Sequence, residues 1–127
     1  MKILMLLTGG ALGTLARYSA AAYSYKLFGS AFPYGTLAVN IIGSFVIGFA
    51  WSVSEAIHIS PNAKIFLFVG LLGGFTTFSS YSLETLNLFR DGETKIAIMN
   101  ILANNIIGLT MVMAGFFGGK GLLNLFN

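Results

Sequence analysis

The chain has no cysteine, two prolines and one tryptophan among its 127 residues, and only 9% of it is charged. Without cysteine there is no disulfide, no thiolate metal site and no thiol nucleophile. The shortage of charge excludes more. A soluble domain carries about 25% charged residues to cover its surface. Seven Lys+Arg and four Asp+Glu cannot do that for a chain that is 56% hydrophobic. The length allows one small domain, so lipid is what remains to hide the apolar surface. The net charge of +3 is small and its cations are scattered. Nothing in it would track a phosphate backbone, which excludes nucleic acid as a partner. An enzyme is the least supported class: no histidine falls within an apolar run, and no carboxylates are closely paired.

What is present are apolar runs. Four stretches approach the roughly 20 residues needed to cross a bilayer: about 3–23, 34–53, 65–89 and 96–117. The reading is an all-α membrane protein, a single four-helix transmembrane domain over residues 1–127. The connections at 24–33, 54–62 and 90–95 are short. They favour antiparallel neighbours and put both termini on the same side. Lys2 before an apolar run, with Ala20-Ala21-Ala22 after it, imitates a signal peptide. Arg17 beside that supposed cleavage site, and three further spans, argue for a retained helix. Loop cations usually set orientation. Lys2, Lys64 and Lys120 fall on the side of the termini, and Lys26, Arg90 and Lys95 on the other. Such a balance permits both orientations and an antiparallel dimer.

The polar groups inside the runs carry the chemistry. Gly9/Gly13, Gly70/Gly74 and Gly115/Gly119 have the spacing that lets helices approach closely in lipid, and the first and last pairs read as packing. A cation such as Arg17 costs about 2.5–3.5 kcal/mol at the centre of a span and less near its end. It is either part of an anion-attracting vestibule, a buried partner, or an interfacial anchor. Asn40 interrupts an apolar run. Its amide must face protein or a wet cavity, as helix glue or as a donor to an anion. Asn104, Asn105 and Thr110 place similar groups in the fourth span.

Gly70 to Glu84 is the most informative segment. Gly73 and Gly74 are followed by Thr76, Thr77, Ser79 and Ser80 alternating with Phe75, Phe78 and Tyr81. Glycine favours non-helical backbone, and hydroxyls can satisfy the groups it frees. Such backbone survives at membrane depth only when buried or lining a cavity, so the third helix is expected to break near its middle, at Gly73 to Thr77. A break frees carbonyl oxygens, hard ligands suited to Na⁺, and N–H groups that favour anions. Phe78 and Tyr81, three apart, share a face. They are either packing or a pair of electropositive ring edges. Glu84 is either a proton-coupling carboxylate or a structural partner for a donor.

Together these motifs resemble the Fluc (CrcB) family of fluoride channels. Gly9 to Tyr18 looks like the family's glycine-rich run ending in arginine. Gly35 to Phe45 looks like its GTLxVNxxG pattern, and Gly70 to Glu84 like GxxGGxTTFSTFSxE. The resemblance implies an antiparallel, dual-topology homodimer in the cell's inner or plasma membrane. It would export cytoplasmic fluoride by passive electrodiffusion and so lower fluoride toxicity. Phe78 and Tyr81 would line the pathways together with Thr77, Ser79, Ser80, Asn105 and Thr110. Asn40 would donate to the ion, and Arg17 and Glu84 would support the vestibule. Main-chain carbonyls of Gly73 and Thr76 would hold one structural, untransported Na⁺ on the dimer axis. The second aromatic is usually phenylalanine, and Tyr81 adds a hydroxyl there.

Two other classes share some of these features. A small four-helix drug/proton antiporter has this size, but it needs a membrane-embedded carboxylate in its first span, and there is none. A structural subunit would have no use for so many amides and hydroxyls at membrane depth.

Overall fold

The structure, a computed structural model, describes residues 1–125. It consists of four helices: α1 (Lys2–Phe28), α2 (Tyr34–Ala56), α3 (Pro61–Arg90) and α4 (Thr94–Asn124). Each is long and apolar enough to cross a membrane. Even the shortest, with 23 residues, reaches about 35 Å at 1.5 Å per residue, beyond the roughly 30 Å of hydrocarbon.

The helices overshoot the apolar stretches that announce them, because local chemistry rather than hydropathy ends a helix. α1 continues to Phe28 and stops where Gly29 takes φ 73°, with the Gly29 amide closing onto the Tyr25 carbonyl. α3 begins early, at Pro61, because proline suits a first helical position and the Ser60 side chain accepts from the Ala63 amide. Gly92, at φ 79°, turns the chain from α3 into α4.

The burial pattern is inverted relative to a soluble protein. Among described residues the buried large apolar side chains are few, Val39, Leu72 and Tyr81 among them. The most enclosed positions include Asn100 at 0% and Ser52 at 2% exposure. Leucines, isoleucines and phenylalanines cover the outside instead, a surface that only lipid or protein can solvate.

Helices pair α1 with α3 and α2 with α4, in both cases through glycine. A Cβ at Gly13 would overlap the Leu71 carbonyl, and one at Gly9 would lie 2.5 Å from the Phe66 carbonyl. Between α2 and α4 the contact is reciprocal. A Cβ at Gly48 would overlap the Val112 carbonyl, and one at Gly115 would overlap the Phe45 carbonyl and sit 2.9 Å from the Phe49 nitrogen. The backbones touch, so dispersion and close dipoles hold the pair where lipid offers no hydrophobic drive. Gly115→Ala should therefore destabilise the protein by about 1–3 kcal/mol. The check is the temperature at which the detergent-solubilised protein loses its size-exclusion peak. Gly118→Ala, where nothing lies within 4 Å, should leave that temperature unchanged.

α3 is irregular along its length. Ile65–Leu72 is wound wide, with i→i+5 hydrogen bonds, a feature that accompanies functional sites. One α-helical turn, Gly73–Phe75, follows. Thr76 (φ −83°, ψ 159°) and Thr77 (φ −152°, ψ 122°) are extended, and helix resumes over Phe78–Arg90. α4 has its own wide turn at Ala103–Ile107, on the stretch that faces this point.

Candidate functional site: a polar cavity at the extended residues of α3

The second of the two extended residues of α3, Thr77, is held by one side chain from α2. Asn40 accepts from the Thr77 amide through Oδ1 at 2.8 Å and donates to the Thr77 carbonyl through Nδ2 at 3.0 Å. This pairing also fixes which way the carboxamide points, because a carbonyl can only accept and an amide N–H can only donate. The remaining Nδ2 hydrogen goes to Asn104 Oδ1 on α4, at 2.9 Å. Asn104 must then present its own Nδ2 to Asn100, and it does so, to the carbonyl at 3.0 Å and to Oδ1 at 2.9 Å. Asn100 Nδ2 donates to the Thr85 hydroxyl at 2.9 Å, and that hydroxyl donates to the Tyr81 carbonyl at 2.8 Å. A one-way relay of amides thus leaves α3 at Thr77, crosses α2 and α4, and returns to α3 at Tyr81.

The relay borders a cavity of about 300 Å³, lined by Asn40, Ser44, Gly73, Thr76, Thr77, Phe78, Tyr81, Asn104 and Asn105 with a few apolar neighbours. The Phe78 and Tyr81 rings meet edge to face, 5.3 Å apart at 62°. Phe78 stands exposed and Tyr81 buried. Asn105 Nδ2 donates to the Ile101 carbonyl at 2.8 Å and to the Tyr81 hydroxyl at 3.1 Å.

The interruption also decides which carbonyls are left over. A continuous helix would give the Thr77 amide to the Gly73 carbonyl and the Ser80 amide to the Thr76 carbonyl. The first is taken by Asn40, and the second goes to the Thr77 hydroxyl at 3.2 Å. Gly73 and Thr76 are therefore left with neutral, hard oxygens whose helical donors are engaged elsewhere. That donor set fits a hard monovalent cation such as Na⁺ and not a soft metal. Among the described residues, no cluster of His, Cys, Asp and Glu could hold a metal ion.

A second cavity of about 300 Å³ adjoins α3. Arg17, Thr36, Ser80 and Glu84 line it. Thr36 donates to Glu84 Oε1 at 2.6 Å, while Glu84 Oε2 is buried with no partner among the described residues.

The sequence-derived residues thus divide. Asn40, Thr77, Phe78, Tyr81 and Asn105, with Gly73 and Thr76, meet at the first cavity. Ser80 sits with Arg17 and Glu84 at the second. Ser79 is exposed and lines neither cavity, and Thr110 is an exposed α4 residue whose hydroxyl bonds back to the Ile106 carbonyl. Asn40 was expected to donate to an ion; both of its amide hydrogens are committed to protein, so such donation would displace one of those bonds. Ser44, Thr36 and Thr85 were not singled out from the sequence. Ser44, in the GSF that closes the second-span pattern, was the one within reach of it.

Four apolar helices with amides and hydroxyls gathered at an interrupted helix define a multi-pass membrane protein with a polar site at membrane depth. The family model described as CrcB-like protein, Camphor Resistance (CrcB), matches residues 4–116, and the chain belongs to that family. It is 46% identical over 125 residues, 98% of each chain, to a Parabacteroides distasonis protein named fluoride-specific ion channel FluC. Relatives of the same name from Dehalococcoides mccartyi and Agrobacterium fabrum are 47% identical over 121 residues and 42% identical over 123. They cover 94% and 96% of this chain and 92% and 98% of their own lengths.

Proposed function

We propose that this chain is a fluoride-specific channel that lets the ion leave the cytoplasm down its electrochemical gradient. The observation that carries the reading is the gathering of polar groups around Thr76 and Thr77 in a chain alike end to end to proteins of that name. Two copies in opposite orientations would complete the unit in the cell's inner or plasma membrane, each with both termini on one side. The third span would work as a broken helix, its second half presenting a positive dipole end to the anion. The ion would pass the Phe78 and Tyr81 rings beside Asn105. Arg17 and Glu84 would shape the vestibule. The carbonyls of Gly73 and Thr76 would hold a Na⁺ that supplies fixed positive charge between the copies. Contacts favourable enough to replace water but each weak enough to release the ion are what conduction requires, since an ion held too tightly does not leave.

The test is fluoride efflux from proteoliposomes, read with a fluoride electrode. Efflux should be electrogenic and indifferent to a pH gradient, and protein prepared with a large organic cation in place of Na⁺ should lose it. A C-terminal tag should be reachable from both faces. Efflux no faster than from protein-free vesicles would reject the channel, and efflux that follows the pH gradient would make the protein an antiporter. Full activity without Na⁺ would remove that ion from the reading.

A further inference from the structure

An anion in the first cavity needs hydrogen-bond donors, and nearly every side-chain donor around it is already engaged. The amides of Asn40, Asn104 and Asn105 give both hydrogens to protein oxygens. The Thr76 hydroxyl donates to the Leu72 carbonyl, and the Thr77 hydroxyl to Ser80 Oγ at 3.1 Å. Two lining hydroxyls remain.

Ser44 is the first. Several helical serines and threonines turn their hydroxyls back onto the preceding turn, as Ser52, Ser54, Ser82 and Thr85 do. Among the described residues, the Ser44 hydroxyl makes no such bond although it lines the cavity. Tyr81 is the second, and its hydrogen is freed by elimination. Asn105 Nδ2 lies 2.8 Å from the Ile101 carbonyl, which fixes that atom as the nitrogen of the amide, since an oxygen there would face an oxygen. The same nitrogen meets the Tyr81 hydroxyl at 3.1 Å. The phenol oxygen therefore accepts, and its own hydrogen is left for something else.

We infer that the Ser44 and Tyr81 hydroxyls are further side-chain donors to the anion in this cavity, beside the Asn40 amide, which also clamps Thr77. The ligand is a small, hard anion, and the inference rests on the reading of this cavity as a fluoride pathway. Reaching these two donors breaks no hydrogen bond, whereas using Asn40 breaks one in the relay. A hydrogen bond to a charged group is stronger than one between neutral groups, so each hydroxyl should tune occupancy of the cavity.

The experiment compares wild type with Ser44→Ala, Tyr81→Phe and the double variant. Each substitution removes one oxygen and adds no bulk. The half-saturating fluoride concentration for efflux should rise about tenfold in each single variant, and further in the double. A second readout covers a variant too impaired to conduct: the fluoride-dependent rise in unfolding temperature of the detergent-solubilised protein should shrink in the same order. A double variant with wild-type half-saturation and an unchanged fluoride-dependent rise would overturn the inference. A single variant whose unfolding temperature falls while its half-saturation does not move would assign that hydroxyl to structure. Wild-type protein that conducts no fluoride would instead reject the channel reading beneath it.

Discussion

Asn40→Asp should lower fluoride efflux about a hundredfold or more while the protein still elutes as one species. The substitution changes almost no volume, so any effect is chemical. Asn40 Nδ2 serves two oxygens, those of Thr77 and Asn104. An ionised carboxylate can serve neither, and both buried acceptors would then face negative oxygen. Each acceptor left unsatisfied costs about 1–3 kcal/mol, which loosens Thr77 from α2. The new charge also stands on the cavity wall, where it repels any anion in a medium of low dielectric. Both effects act in the same direction. Efflux from proteoliposomes is the measurement, and a rate near that of wild type would show that neither the clamp nor the charge of this wall matters to the ion.

Replacing Phe78 by isoleucine should cut efflux more than tenfold with stability nearly unchanged. Phe78 is 75% exposed, so its ring does not hold the chain together and its loss opens no internal void. Isoleucine keeps apolar bulk but has no quadrupole and hence no positive edge. If conduction draws on the ring edges of Phe78 and its neighbour Tyr81, 5.3 Å away, bulk alone will not replace them. Unfolding temperature and efflux should be read on the same preparation. Unchanged efflux would leave the two rings as packing.

The spans were legible because a membrane helix is announced by composition, and composition survives in a single sequence. Their ends were not: the apolar window closes at the first polar residue, while α1 runs on to Phe28 and α3 starts at Pro61. The polar segment after Gly73 was legible through its glycines and hydroxyls. The partners of these groups were not. Asn40 meets Asn104 sixty-four positions away, and Thr36 meets Glu84 at a distance of forty-eight. No periodicity within one helix encodes a pairing between two. The wide turns at Ile65–Leu72 and Ala103–Ile107 are likewise hidden, since ordinary apolar and amide residues build them. Ser44 escaped notice because a serine inside a helix usually serves its own backbone, and only the structure tells which serine does not.

Asn40 meets Thr77 as one nucleobase edge meets another, with a donor and an acceptor side by side. Such a contact registers position in two directions at once and tolerates little sliding. Thr77 is thereby a fixed fitting and not a hinge. Domain hinges and lids swing on microsecond to millisecond timescales, and a pore that waited on such a motion would pass ions in bursts. In the channel proposed for this chain, with Thr77 fastened on both its N–H and its C=O, the pace of permeation would be left to the ion's own exchange between water and wall, and the current through a single unit should be steady.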